Sequence, residues 1–246
     1  MSINQVIEKL EQLKLTGMIK ALEEQLNMVD INNLAFEERL NLLADREIIT
    51  RENSRIKKRL SKAKLKINAQ IEEIDFRKHR DLDKSFILSL ASCEWIRRHQ
   101  NIIITGATGM GKTFLANALA HKACMEGFSS QYFRFPRLLS ELNISRADGS
   151  YFNLLKALGK LDVLIIDDWG LSVLTETERR DVLEIFEDRF SISSTIITSQ
   201  MPIEHWHEVI GDNTIADAIL DRIVHNAHKI NMRGDEHSMR KELHGI

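Results

Sequence analysis

The sequence predicts an α/β protein: a parallel sheet covered by helices on both faces, preceded by a block that is helical throughout. Three observations carry this. Short apolar or β-branched runs (Ile102–Thr105, Gln131–Phe135, Leu161–Asp168, Ser194–Gln200) alternate with stretches of helical spacing, the pattern of strand–helix–strand units. The first run enters a glycine loop, Gly106–Thr113, that opens directly into a helical stretch. Ahead of both, residues 34–66 contain neither Gly nor Pro, and apolar residues recur at helical spacing from Ile3 onward.

In chain order, Ile3 to Val29 reads as two short helices that meet where Thr16-Gly17 interrupts the pattern. Asn33 is placed to cap one long helix from Leu34 to about Lys66. Along it, Ile49, Ile56, Leu60, Ala63 and Ile67 fall on one face, and Arg51, Arg55, Arg59, Lys62 and Lys66 on another. Seven cations and no acid lie between Arg55 and Lys66. Such a ridge either tracks phosphates or is a solvated helix face. Charge is dense and periodicity broken from Ile71 to Asp83, so the domain junction is expected there: a helical domain, 1–75, then the α/β domain, 76–246.

Asp83 can cap a helix that runs through Phe86, Leu90, Trp95 and Ile96 to the first strand. After the second strand, Pro136 suits a helix start, Asp148-Gly149-Ser150 a turn, and Tyr151–Leu158 another helix. Thr175 begins a capping pattern ahead of the helix through Leu183, Ile185, Phe186 and Phe190. Beyond Pro202 the pattern is helical again, over Ile203–Ile210 and Thr214–His225. A short His228–Met232 strand and a polar tail close this small C-terminal portion.

The loop Gly106, Ala107, Thr108, Gly109, Met110, Gly111, Lys112, Thr113 spells G-x-x-x-x-G-K-T between a strand and a helix, which is the context of a P-loop. Glycines let backbone N–H groups turn inward around phosphate oxygens, and the helix N-terminus adds partial positive charge. Lys112 is placed to reach the β- and γ-phosphates and Thr113 to bind Mg²⁺. A nucleoside triphosphate is the ligand this implies.

The third strand closes on Asp167 and Asp168, where open α/β sheets place their ligands. Asp167 can hold the Mg²⁺ that bridges the phosphates, and Asp168 can orient or deprotonate an attacking water. Gln200 ends the fourth strand at the same edge, as a γ-phosphate or water contact or as a turn former. No N-K-x-D for guanine and no L-S-G-G-Q occurs, which excludes the GTPase and ABC patterns. A small-metabolite kinase would leave the helical block and its cations unexplained.

Composition is that of an ordinary globular protein, 43% hydrophobic and 28% charged over 246 residues, with a net charge of −2. No apolar run approaches the ~18 residues of a membrane span, and the N-terminus has no secretory pattern. Cys93 and Cys124 are expected to be buried, reduced thiols of an intracellular protein.

The stretches LKLTGMIKALEEQ, FEERLNLLADRE, LASCEWI, GATGMGKTFLANALAHKA, VLIIDDWG and TIITSQMP follow one another over nearly the full length. In this order they resemble the IstB family, ATP-binding helpers of bacterial insertion-sequence transposition. That family is similar to the helicase loader DnaC and the initiator DnaA among the AAA+ ATPases. The resemblance implies an AAA+ ATPase domain, ATP and Mg²⁺, a cytoplasmic bacterial setting and no membrane. It makes Asp167 the Walker B magnesium ligand. Asp168 takes the place where most AAA+ proteins carry Glu, and Gln200 that of sensor 1. By the same resemblance Arg222 matches the arginine finger, which acts on a neighbouring subunit's ATP, and Arg240 matches sensor 2. Each arginine is otherwise an ordinary surface residue.

The resemblance further implies self-association into an ATP-dependent oligomer on duplex DNA, with the transposase of the same element as partner. The helical block then handles partners and assembly. Arg134, Arg137 and Arg146 follow the second strand, where relatives contact DNA; with Arg55, Arg59 and Lys62 they are the candidate DNA contacts, or else solvated arginines and lysines. A DnaC-like loader that binds single-stranded DNA is the alternative reading.

Overall fold

The structure, a computed structural model, describes residues 3–28, 31–76 and 82–233. The chain divides into two compact units, 1–58 and 59–246, so the division falls ahead of the expected junction at 75/76.

The first unit is helical. Helices α1 (Ile3–Gln12) and α2 (Thr16–Leu26) precede α3, which begins at Phe36 and ends at Ala63. The break between α1 and α2 lies at Leu13–Leu15, where Lys14 takes φ 56°. Gly17 lies within α2, and its role is close approach: a Cβ there would stand 2.7 Å from Arg46 O and from Glu47 Cα on α3. Glu47, 6% exposed, caps α2 from α3, accepting from Gly17 N at 2.6 Å and Met18 N at 3.1 Å. Burial works to raise the Glu47 carboxyl, but Arg51 and these two amides outweigh it and hold the group below its ordinary value.

Along α3 the expected stripes are partly redrawn. Ala63 is buried, but Ile49 is 52% exposed, and Ile67 lies beyond the helix. Lys64 takes φ 48°, a left-handed conformation that ends the helix. Lys66 is therefore not part of the ridge.

The second unit is built on five parallel strands: β1 (Asn101–Gly106), β2 (Ser130–Arg134), β3 (Val163–Trp169), β4 (Ser194–Ser199) and β5 (Ala227–Met232), in the order β2-β3-β4-β1-β5. Successive side chains point to opposite faces, so each apolar strand feeds two cores. Ile103, Leu164, Ile166 and Ile197 face one core, and Ile102, Ile104, Val163, Ile165 and Ile196 the other. Each such buried side chain contributes about 1.5–3 kcal/mol relative to exposure.

The second core is closed by α4 (Lys84–Leu90), α5 (Glu94–Arg97) and α6 (Lys112–Met125). Asp83 caps α4 as expected, accepting from Ser85 N and Phe86 N. The helix expected to continue to Ile96 breaks at Cys93, which takes φ 61°. The alanines of α6 (Ala116, Ala118, Ala120, Ala123) are fully buried and let the P-loop helix lie close on the sheet. The first core is closed by α7 (Phe135–Asp148), α8 (Tyr151–Gly159), α9 (Glu176–Arg189), α10 (Trp206–Ile210) and α11 (Asn213–Val224). Thr175 and Glu178 form the expected capping box on α9. Phe135 opens α7 instead of ending β2.

Among the described residues no helix is long and apolar enough to cross a membrane. Both cysteines are buried and unpaired by disulfide, and burial pushes the Cys93 thiol up to about 11.

Candidate nucleotide site

Because all five strands are parallel, their C-terminal ends form one edge, and Gly106–Thr113 turns over it between β1 and α6. Gly106, Gly109 and Gly111 take φ of 145°, 84° and 95°, a region that disfavours residues with a Cβ. At Gly106 a Cβ would also stand 2.3 Å from Met232 O of β5. The loop thus needs glycine for two reasons there, conformation and contact.

Lys112 opens α6, and its Nζ bonds Gly106 O at 2.7 Å and Ala107 O at 2.8 Å, back across the loop. Burial lowers its pKa despite the neighbouring Asp167 and Asp168. A buried ammonium at a helix N-terminus suits a multiply charged anion. Thr108 Oγ1 donates to Gln200 Oε1 at 2.7 Å, so Gln200 is tied to the loop.

Asp167 is fully buried and surrounded by donors. Its Oδ1 accepts from Thr113 Oγ1 at 2.9 Å and Thr198 Oγ1 at 2.6 Å. Its Oδ2 accepts from Tyr132 OH at 2.6 Å and lies 3.4 Å from Lys66 Nζ. Burial would raise this carboxyl, but Thr198, Tyr132, Thr113 and Lys66 hold it below its ordinary value, so it is ionised at neutral pH. Thr113 and Asp167 would offer a hard cation two oxygen ligands. No cluster of three His, Cys, Asp or Glu occurs among the described residues. That donor set fits a Mg²⁺ whose remaining ligands are phosphates and water.

Between Ile166 and Trp169 the β3–β4 register shifts, and Asp168 takes φ 65°. A bulge re-aims the side chain that follows, and Asp168 Oδ2 accepts from Arg134 Nε at 2.8 Å. Thr198 Oγ1 also accepts from Asp168 N at 3.2 Å, so one hydroxyl holds both carboxylate residues.

The structure therefore brings together Gly106–Thr113, Asp167, Asp168 and Gln200. It does not bring Arg222 to them. Arg222 is near the end of α11, and its carbonyl accepts from the side chain of Asn101, the first residue of β1, at 3.3 Å. It lies at the opposite edge of the sheet, with its guanidinium paired to Glu187 and bonded to Ala218 O at 2.7 Å. Arg240 lies outside the described residues.

The six candidate DNA-contacting cations have different settings. Arg55 and Lys62 are exposed. Arg59 Nε is bonded to Cys124 O at 2.8 Å, at the end of α6. Arg137 is 80% exposed beside Glu141, whereas Arg146 is paired with Asp181 and stacks 3.8 Å above the Tyr151 ring. Arg134 and Arg137, with Lys64, Lys66 and Tyr132, line a cleft of about 650 Å³ beside the carboxylates.

Three site residues escaped the sequence reading: Lys66, Tyr132 and Thr198. Thr198 stands two residues before Gln200 on β4, and Tyr132 pairs with Ile165 in the β2–β3 register. Strand parity could have offered both. Lys66 was hidden in a run of cations.

Loop, buried carboxylate and strand arrangement define a P-loop nucleotide-binding protein, with β4 inserted between the P-loop strand and the carboxylate strand. A sequence model described as IstB-like ATP binding protein matches residues 8–244, and the chain belongs to that family. An insertion-sequence ATP-binding protein of Sinorhizobium fredii is 46% identical to it, over 93% of this chain and 94% of the relative. Among solved structures, the DnaC helicase loader is similar at 18% identity and a TM-score of 0.55, covering 68% of this chain and 97% of that one. AMPPCP-bound DnaA from Aquifex aeolicus is similar at 16% identity and a TM-score of 0.59, covering 73% and 54%. At these identities the likenesses concern the fold alone.

Proposed function

We propose that this protein is an ATP-dependent DNA-binding helper of insertion-sequence transposition. It assembles on duplex target DNA, deforms it, recruits and stimulates the transposase of its element, and hydrolyses ATP, in the bacterial cytoplasm. The insertion-sequence relative supports the setting. The separation of Arg222 from its own P-loop carries the mechanism: a cation near Asn101, at the start of the P-loop strand, is out of reach of its own nucleotide, which supports its service to a neighbouring subunit's. Hydrolysis is then stimulated by assembly on DNA or by the partner.

The P-loop amides and Lys112 bind the phosphates, and Thr113 with Asp167 would hold Mg²⁺. Held there, Mg²⁺ would supply neutralisation of phosphate charge. Asp168 accepts the proton of the attacking water, and Gln200 orients that water or the γ-phosphate. Arg222 from the next subunit meets the charge that develops as the phosphoryl group transfers. Residues 1–75 serve partner contacts and assembly, and residues 76–246 the ATPase. Arg240 serves as sensor 2. Arg55, Arg59, Lys62, Arg134, Arg137 and Arg146 supply phosphate contacts, Arg59, Arg134, Arg137 and Arg146 on release from their present partners. Bending a short duplex costs about 1–6 kcal/mol, which many such contacts can offset.

Competition between duplex and single-stranded DNA for the ATP-bound protein tests this, with electron microscopy of the duplex complex. A spiral on bent duplex is expected. Preference for single strands would replace the transposition reading with that of a helicase loader.

A further inference from the structure

The segment that follows α3 reaches the nucleotide site, although nothing in its sequence sets it apart from the cations before it. Lys64 turns the chain with φ 48°. Lys66 N then donates to Asn117 Oδ1 at 2.9 Å. Asn117 is fully buried one turn into α6, and its Nδ2 donates to Thr113 O at 2.6 Å. The Lys66 backbone is thereby anchored to the helix that carries the P-loop lysine and threonine. Ala69 and Ile71, both buried, anchor the chain beyond it. This tether delivers the ammonium to Asp167 Oδ2, at 3.4 Å, while the side chain remains 46% exposed.

A buried carboxylate that serves a divalent cation is thus also served by a lysine on a flexible, half-exposed stem. Two cations that share one carboxylate repel each other, so each weakens the other's hold. Tyr132 and Thr198 also bond Asp167, but both are neutral donors, and neither opposes a metal in this way. Lys112 Nζ, the other ammonium of the site, is engaged by Gly106 O and Ala107 O.

We propose that Lys66 is a positioning residue that competes with Mg²⁺ for Asp167 and so sets the metal dependence of nucleotide binding. Without metal, its ammonium offsets the Asp167 charge and lets the triphosphate approach a site that would otherwise repel it more strongly. With metal, it yields and turns from Asp167 toward the open space of the cleft it already lines, where Lys64, Arg134 and Arg137 outnumber Glu141. The metal-bound nucleotide thereby makes the cleft more cationic. This inference rests on the assignment of Thr113 and Asp167 to Mg²⁺.

The test is binding of a fluorescent ATP analogue to the full-length protein, in EDTA and across a Mg²⁺ titration, for wild type, Lys66→Met and Lys66→Arg. Lys66→Met is expected to bind the analogue several-fold more weakly in EDTA and to reach half-saturation at several-fold lower Mg²⁺. Lys66→Arg, which keeps the charge, should restore wild-type behaviour. A Lys66→Met half-saturation equal to wild type would overturn the proposal. If that variant does not fold, Lys66→Gln takes its place with the same expectation, and a half-saturation equal to wild type would overturn the proposal. A wild-type protein that binds the analogue equally well with and without Mg²⁺ would instead remove the metal assignment itself.

Discussion

Arg134 Nε lies 2.8 Å from Asp168 Oδ2, so the cation that ends β2 holds the carboxylate that follows Asp167 on β3. The Asp168 carboxylate raises the arginine's pKa, and Arg134 lines the cleft with Lys64, Lys66 and Arg137. An arriving DNA phosphate and Asp168 compete for one guanidinium. Arg134→Ala is therefore expected to raise ATP turnover without DNA and to shrink the stimulation by DNA. Phosphate release with and without duplex measures both; unchanged basal turnover would show that Asp168 is not restrained by Arg134.

Asp168→Asn removes the proton acceptor but keeps the shape of the site. ATP binding should persist, and turnover should fall by roughly 10²–10⁴-fold, the usual contribution of a positioned general base. Residence on DNA should lengthen. Hydrolysis at the wild-type rate would exclude Asp168 from the chemistry.

Lys112→Ala takes away the ammonium from the loop. Loss of a charged hydrogen-bond donor of this kind should weaken ATP binding by roughly 10- to 100-fold, and assembly on DNA should fail with it. Assembly that survives at wild-type ATP concentrations would separate the P-loop from oligomerisation.

Arg222→Ala tests whether two subunits complete each site. The variant should bind ATP normally, because Arg222 is at the far edge from its own P-loop, yet fail to hydrolyse it on DNA. Mixed with Lys112→Ala, it should regain activity, since a mixed interface pairs an intact P-loop with an intact arginine. No complementation in the mixture would place Arg222 in a purely structural role with Glu187.

Glu47 links stability to pH in the helical unit. Its folded pKa is lowered from 4.5, so its stabilisation is complete above that value and is lost as pH falls through the lowered one. Glu47→Gln should cost about 1–3 kcal/mol at neutral pH, as the charge-assisted bonds to Gly17 N and Met18 N weaken. The deficit should shrink as the medium becomes more acid. Urea denaturation at several pH values reads it, and a deficit independent of pH would assign the effect to packing.

Most of the sheet was legible because parallel strands buried on both faces are near-continuous apolar runs, and Gly106–Thr113 marks its own turn. Boundaries slipped where a single backbone dihedral decided them. Lys64 ends α3 and Cys93 precedes the first residue of α5, both in left-handed conformations that their side chains do not announce. Gly17 looked like a helix breaker in one dimension. In three, it is the point where α2 meets α3.

The sequence by itself determined the phosphate loop, the two carboxylates and the order of strands and helices, because each depends on residues close together in the chain. Only the tertiary structure decided which cations face which anions. Arg134 with Asp168, Lys66 with Asp167 and Arg222 with Glu187 are separated by 34, 101 and 35 residues. Charge periodicity on a helix carries no information about a partner that distant. The sheet supplies it, by setting β2 beside β3 and carrying the end of α11 to the edge remote from the P-loop.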